Sequence, residues 1–512
     1  MGKLKVWPLI LMIALIFLVA GCTDLEGEVS DGTLGNIVKS ENGKNGTEEE
    51  TEEADSKDQV SIDFSTRAAG LEFLKFNNRN VLGPFKDGMP YYSIAPDGET
   101  IAVWGWSDEH AIWVINAELD LINAVVVSGH NASSAHLTMD VAGWLDEKTI
   151  ICATAGEHVE GKRSGQLGTG IYLAHWDGTK EELGWIDGET QLKQFYLTGD
   201  RQGVVLQLGT QVYRYDFATD ELVQVKTGLP DYDGLFQMHS SPDGWMLAYV
   251  RYESDQQGIY LLDVKTGEEK PLAVNAKYNF QPIWSPDGEH IAFLASDRID
   301  GGFDIIMGEA GPLPLANRVK VINVNGDHVT SLEMRDKVSK PGWSPSGEKI
   351  MFLTGVPDTS GFYFEPQIKW TGIGLWQMGE SKAEELVALE TEQHVELARF
   401  DSRSSEIFYR EISNNGYKLW ALDPKTGKTD VVVEASGWDG STLFAQDKLY
   451  YLQNKGAGEE IFQTTVEGNK GEQITNTGGW KTNLSAANGK ITFVRGENSA
   501  PYYYFLEIIS VK

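Results

Sequence analysis

One turn sequence recurs along the chain and constrains its fold more than any other feature. Trp284-Ser285-Pro286-Asp287-Gly288 leads into the alternating run Glu289-His290-Ile291-Ala292-Phe293. Close copies occupy residues 343–352, 240–249 and 94–104, and weaker ones 143–151 and 399–408. The physical content of such a string is a hairpin. Proline pre-sets φ at the start of the turn, Asp caps its own backbone, and Gly takes the positive φ that closes it. The period-2 run that follows predicts the next strand.

A third strand follows ten to fifteen residues later, as in Ile259-Tyr260-Leu261-Leu262-Asp263-Val264, and a second tight turn, Lys265-Thr266-Gly267-Glu268, comes after it. Leu419-Trp420-Ala421-Leu422-Asp423-Pro424-Lys425-Thr426-Gly427 repeats that second turn. Four antiparallel strands with two tight turns, recurring every 42 to 59 residues, predict an all-β chain of four-stranded blades, a β-propeller. Unit starts fall near Ser93, Val141, Lys193, Gln237, Gln281, Lys340, Glu396, Ser441 and Asn483. Eight blades are favoured, within a range of six to nine, because the units near Lys193 and Asn483 are weak and one of them is expected to be irregular. Residues 71–76 are expected to supply the outer strand of the last blade, so that no sheet edge stays open.

Composition adds the address and excludes several partners. The 512 residues carry 75 acidic and 43 basic side chains, a net charge of −32, with 55 glycines, 15 tryptophans and two cysteines. A polyanion of this size neutralises no phosphates, which excludes nucleic acid as a partner, and two cysteines make no disulfide scaffold. Lys3 and Lys5 precede an uncharged stretch that ends in Leu18-Val19-Ala20-Gly21-Cys22. That stretch is too short to span a bilayer and reads as a secretory signal over residues 1–21. Residues 23–58 hold twelve acids, three lysines and no Phe, Trp or Tyr. Such a segment buries too little apolar surface to order itself, so residues 22–60 are expected to form an acidic tether. Residues 61–512 form the expected propeller domain, and residues 59–512 still carry a net charge of −25.

The Trp-Ser-Pro-Asp-Gly turn, the Ile-Ala-Phe strand and the later Thr-Gly-Glu turn closely resemble the TolB-type propeller repeat. Relatives of that repeat form the amino-terminal propellers of prolyl-oligopeptidase-like serine peptidases and the fold of oligogalacturonate lyase. Ala20-Gly21-Cys22 resembles a bacterial lipoprotein signal. The resemblance implies lipidation of Cys22, typically with palmitate, and a membrane partner held through that lipid on the extracytoplasmic face. Lipobox, acidic tether and lone propeller together resemble the YqgU-like lipoproteins.

Fold does not fix function, so each chemical candidate is read on its own residues. No G-x-S-x-G string occurs, which argues against a serine-peptidase domain and leaves Ser285 and Ser344 as turn residues. His130, His136 and Asp140, with His158 and Glu160 in the next unit, form the one polar cluster that could converge, and loop solvation is the simpler reading. Asp231-Tyr232-Asp233-Gly234 and Asn323-Val324-Asn325-Gly326-Asp327 suggest calcium loops but lack the terminal Glu, so ordinary turns are expected. Cys152, in the apolar run Ile150-Ile151-Cys152-Ala153, reads as a buried hydrophobe. No metal and no cofactor is expected.

Alternating strand direction puts the two tight turns at one end of each unit and the longer connections at the other. Residues 155–170, 296–318 and 354–371 fall in those longer connections, where binding loops collect. Phe362, Tyr363, Phe364, Trp370, Tyr232, Trp438 and Trp480 gather aromatic rings at that end, suited to a glycan or peptide ligand. The main expectation is a lipid-anchored, extracytoplasmic, non-catalytic binding module for a cell-envelope or secreted protein, peptide or glycan. The alternative is a polysaccharide-acting lyase or hydrolase centred on His130, His136 and His158.

Overall fold

The computed structural model describes residues 60–63 and 72–511, the latter with gaps of at most eight residues at connections. Residues 57–512 form one compact unit. Among the described residues every regular element is a strand and nearly every pairing is antiparallel. Consecutive four-stranded units open with Tyr91–Ile94, Thr138–Trp144, Leu192–Leu197, Met238–Ser240, Tyr278–Trp284, the second half of Thr330–Trp343, His394–Phe400, Thr442–Ala445 and Trp480–Ala487.

The repeated turn forms as its residues dictate. In the first copy Ala95 donates to the Thr100 carbonyl at 2.8 Å, Asp97 Oδ1 accepts from the amides of Glu99 and Thr100, and Gly98 sits at φ 70°. Gly244, Gly288 and Gly347 repeat that φ at 73–78°, a conformation that a Cβ would penalise. In the two Trp-Ser-Pro copies the serine completes the cap. Ser285 Oγ accepts from the His290 amide at 2.9 Å and donates to Asp287, and Ser344 Oγ accepts from the Lys349 amide at 3.0 Å. Both serines are turn residues, as their positions imply.

The segments near Lys193 and Asn483 pair as regularly as the rest. In the first of these, Thr198 donates its amide to Gly203 O, Asp200 caps Gln202, and Arg201 takes φ 56° where the four close copies have glycine. The turn geometry is kept while the Pro-Asp-Gly signal is lost, so the sequence understates this unit. In the last unit the fourth position goes to Arg79–Phe85, which pairs with Tyr504–Ser510. Residues 71–76 were expected there; Glu72–Lys75 pairs one place further out, and Val60–Asp63 beyond it. Arg79–Phe85 wins the position because it brings Val81, Leu82 and Phe85 into the core.

The core is a chain of apolar clusters between successive sheets. One of them joins the last sheet to the first: Leu82, Phe85, Val494, Leu506 and Ile508 pack with Ile101, Val103, Trp113 and Ile115. Polar contacts line the same seam. Lys490 pairs with Glu99, Asn488 Nδ2 donates to Asp97 O, and Tyr92 Oη donates to Asn483 O and Thr492 O. Thr330–Trp343 runs unbroken through two units. Residues Thr330–Glu333 and Val338 pair with the preceding strand, and residues from Lys337 to Trp343 with the following one.

The long connection over 354–371 is largely strand. Lys349–Asp358 and Gln367–Gln377 extend as a hairpin up to the pair Asp358↔Gln367. Cys152 is fully buried and burial pushes its thiol up to about 12, the state of an inert hydrophobe. Asn323-Val324-Asn325-Gly326-Asp327 is a plain turn in which Gly326 donates to Asn323 O and Asn323 caps Asn325.

Candidate functional site

The opening strand of each unit positions the candidate site. Seven of the nine opening strands lie at one end of their sheets and so present one unpaired backbone edge. Tryptophans tie neighbouring opening strands to each other. Trp144 Nε1 donates to Ser93 O at 3.3 Å, Trp284 Nε1 to His239 O at 3.0 Å, and Trp343 Nε1 to Ile283 O at 3.2 Å. Tyr92, on the first opening strand, donates to Asn483 on the last. The opening strands joined by these bonds stand side by side, and Asp140, His239 and Arg399 lie on strands of the same rank in three different units.

Among the ionisable groups they carry, Asp140, His239 and Arg399 have surroundings that alter their protonation. Burial raises the Asp140 carboxyl above the usual carboxylate range, although its Oδ1 accepts from the Val141 amide at 2.8 Å. Partial desolvation lowers the His239 imidazole, and it lowers the Arg399 guanidinium as well. A carboxyl moved up and an imidazole moved down differ less in proton affinity than the free groups do, the direction that general acid–base chemistry uses. Arg399 keeps its charge and can hold an anion.

Register shifts interrupt the same strands between Val141 and Gly143, Leu192 and Gln194, Phe280 and Ile283, Ser339 and Gly342, Val395 and Leu397, and Thr482 and Ser485. Such bulges re-aim side chains and are common beside active sites. At three of them the bulged residue is not glycine yet has positive φ: Gln281 at 51°, Lys340 at 50° and Asn483 at 54°.

A separate buried charge cluster supports the last unit. Lys481, with no solvent exposure, donates to Glu459 O and to Gly478 O at 2.9 Å, and its Nζ lies 3.4 Å from Glu460 Oε2. Burial pushes the Glu460 carboxyl up, and bonds from Thr475 Oγ1 and the Gly478 and Thr477 amides, with the Lys481 charge, more than reverse that, leaving it below its usual range. Every partner here is internal, so this cluster is structural.

Of the site residues expected from sequence, Asp140, Trp370 and Trp480 fall within the described part. Trp370 packs against the cluster of Met351, Leu353 and Ile373, and Trp480 meets Tyr504 edge-on at 5.7 Å. Both rings are half-buried. Phe362, Tyr363, Phe364, Tyr232, Trp438, His130, His136, His158, Glu160 and the 231–234 turn lie outside the described residues, as does Cys22. Sequence reasoning passed over His239, Lys340 and Arg399. Their signal is position, since each lies one to three residues before the tight turn of its unit.

Geometry and repeat define an all-β protein of antiparallel four-stranded sheets with a TolB-like repeat. No family model matches the chain. It is 31% identical over 122 residues to the uncharacterized peptidase YuxL of Bacillus subtilis, covering 23% of this chain and 16% of that protein. It is 31% identical over 121 residues to the Tol-Pal system protein TolB of Alcanivorax borkumensis, covering 23% of this chain and 26% of that protein. The chain thus spans about a quarter or less of the length of these relatives. Among solved structures it is similar to an oligogalacturonate lyase of Vibrio parahaemolyticus, with a TM-score of 0.36 and 13% identity, covering 64% of this chain and 96% of that one. The two sequence similarities correct the main functional expectation. A non-catalytic binding module would leave the chain beside TolB alone, whereas a peptidase matches it equally well in sequence.

Proposed function

We propose that the chain is an extracytoplasmic enzyme, a polysaccharide-acting lyase or hydrolase, built on a TolB-like propeller and working at the opening strands of its blades. In this reading Asp140 and His239 exchange the proton and Arg399 steadies the developing charge. The nine units are read as blades of a closed ring, with the seam between Lys490 and Glu99 as its closure. Residues 1–21 are the signal, Cys22 carries the lipid, and residues 22–60 are the tether that holds the domain off the membrane, an arrangement like that of the YqgU-like lipoproteins.

The single observation that carries the catalytic reading is the placement of Asp140 and His239, oppositely shifted in proton affinity, on strands of the same rank. The similarity to a peptidase supports catalysis in general, and the similarity to TolB supports both the scaffold and an envelope location. The test is turnover by the full-length protein in detergent on a panel of neutral and acidic polysaccharides, followed as new reducing ends and as unsaturated sugar. At least one polymer is cleaved, and Asp140→Asn and His239→Gln each slow its cleavage by about a hundredfold or more. Equal rates in wild type and both variants, or no cleavage across the panel, would overturn the reading.

A further inference from the structure

The first hairpin of the last unit turns on Asn488-Gly489, between Ala487 and Lys490. Both central residues take positive φ, 47° at Asn488 and 71° at Gly489, the two-residue turn for which Asn-Gly is a preferred pair. Asn488 also works across the seam. Its Nδ2 donates to Asp97 O in the tight turn of the first unit, 391 positions away. Its carboxamide lies against Gly98, where a Cβ would stand 2.6 Å from Nδ2 and 2.8 Å from Cγ and push the amide off the turn. Lys490, two residues on, pairs with Glu99.

Asn followed by Gly is open to attack by the backbone on its own side chain, because glycine has no Cβ to hold its nitrogen away from the neighbouring carboxamide carbon. Two such pairs lie wholly within the described residues, Asn488-Gly489 and Asn325-Gly326, and both are exposed. They differ at the attacking atom. The Gly326 amide donates to Asn323 O at 2.8 Å, whereas the Gly489 amide has no acceptor among the described residues. A proton held by an acceptor is harder to remove, so the Gly489 nitrogen is the freer nucleophile.

We propose that Asn488 is a self-modifying site at the seam between the last unit and the first. The Gly489 nitrogen attacks the Asn488 side-chain carbonyl carbon, the new N–Cγ bond replaces the Cγ–Nδ2 bond, and the Gly489 amide proton leaves with Nδ2 as ammonia. Water then opens the cyclic imide at either carbonyl, giving aspartate or its backbone-shifted isomer. Both products end the seam contact. A carboxylate only accepts, so it offers nothing to Asp97 O, and it sets a negative charge beside Asp97 and Glu99. The isomer also adds a carbon to the backbone of a two-residue turn, which disturbs the pairing of Ala487 with Lys490. The seam therefore weakens as the molecule ages.

The experiment follows the chemistry and its consequence separately. Full-length protein is incubated in heavy-oxygen water at mildly alkaline and mildly acidic pH, digested, and read by mass at each Asn-Gly pair. Asn488 converts to a mixture of aspartate and isoaspartate, ahead of Asn325 in the same sample, and faster at the higher pH, where the attacking nitrogen gives up its proton more readily. Conversion of Asn325 ahead of Asn488, or no conversion at Asn488, would overturn the proposal. On fresh protein, Asn488→Gly keeps the turn and removes the donor, and Asn488→Asp adds the charge as well. Melting temperature falls in that order, by about 2 °C for Asn488→Asp, and salt narrows the gap between the two variants. Asn325→Asp, at an exposed turn away from the seam, melts with the wild type. An Asn488→Asp protein that also melts with the wild type would overturn the weakening of the seam.

Discussion

Asp140 shows how a functional group is recognised by what it costs. Its carboxyl is raised by burial, so the ionised form is disfavoured in the folded chain. The raised folded value means that Asp140 favours folding only at pH low enough to protonate it, and opposes folding as pH climbs through that value. Asn in its place keeps the acceptor for the Val141 amide and removes the charge. Asp140→Asn is therefore expected to unfold at a higher temperature than wild type at neutral pH, with the gap closing as pH falls through the carboxylate range. Thermal melts across pH test this, and a variant less stable at neutral pH would refute it. At this scale the sequence was legible for Ser285, Ser344 and Cys152, whose roles are local. It was silent on His239 and Arg399, because shifted proton affinity depends on neighbours brought from other units.

Between elements, the repeated tryptophan is the working part. Trp144, Trp284 and Trp343 each reach back one unit to a carbonyl of the preceding opening strand, where an edge would otherwise leave that group unpaired. Trp284→Phe keeps the ring and loses the bond, leaving His239 O without its donor. The expected loss is about 1 kcal/mol, seen in denaturant melts, and Trp343→Phe costs a similar amount. Both together cost close to the sum, since they act on different carbonyls. The strands themselves were legible because the turns are, and where turn chemistry changed the reading weakened. Thr198-Gly199-Asp200-Arg201 builds the same hairpin with Arg201 in the left-handed position, which no pattern of Pro-Asp-Gly reveals. The choice of Arg79–Phe85 over residues 71–76 turned on packing of Leu82, which is long-range information.

For the molecule as a whole, the amino-terminal strands are part of the carboxy-terminal sheet. A chain beginning at residue 59 keeps Arg79–Phe85 and is expected to melt like the full-length protein. One beginning at residue 86 loses the burial of Val81 and Leu82 and opens the edge of Tyr504–Ser510. Its stability falls by roughly 3 kcal/mol or more, and it self-associates through the bared edge. Melting and sedimentation of the two chains check this, and identical behaviour would show that the strand contributes nothing. The strand Thr330–Trp343 has a consequence of another kind. Elsewhere a repeat can be copied or dropped by recombining at a loop, and the array shortens or grows by one whole module. Here two modules share one uninterrupted strand, so no crossover between them leaves both intact. These two are inherited as a pair, and a lengthened or shortened cousin of this chain would carry its change in some other part of the array.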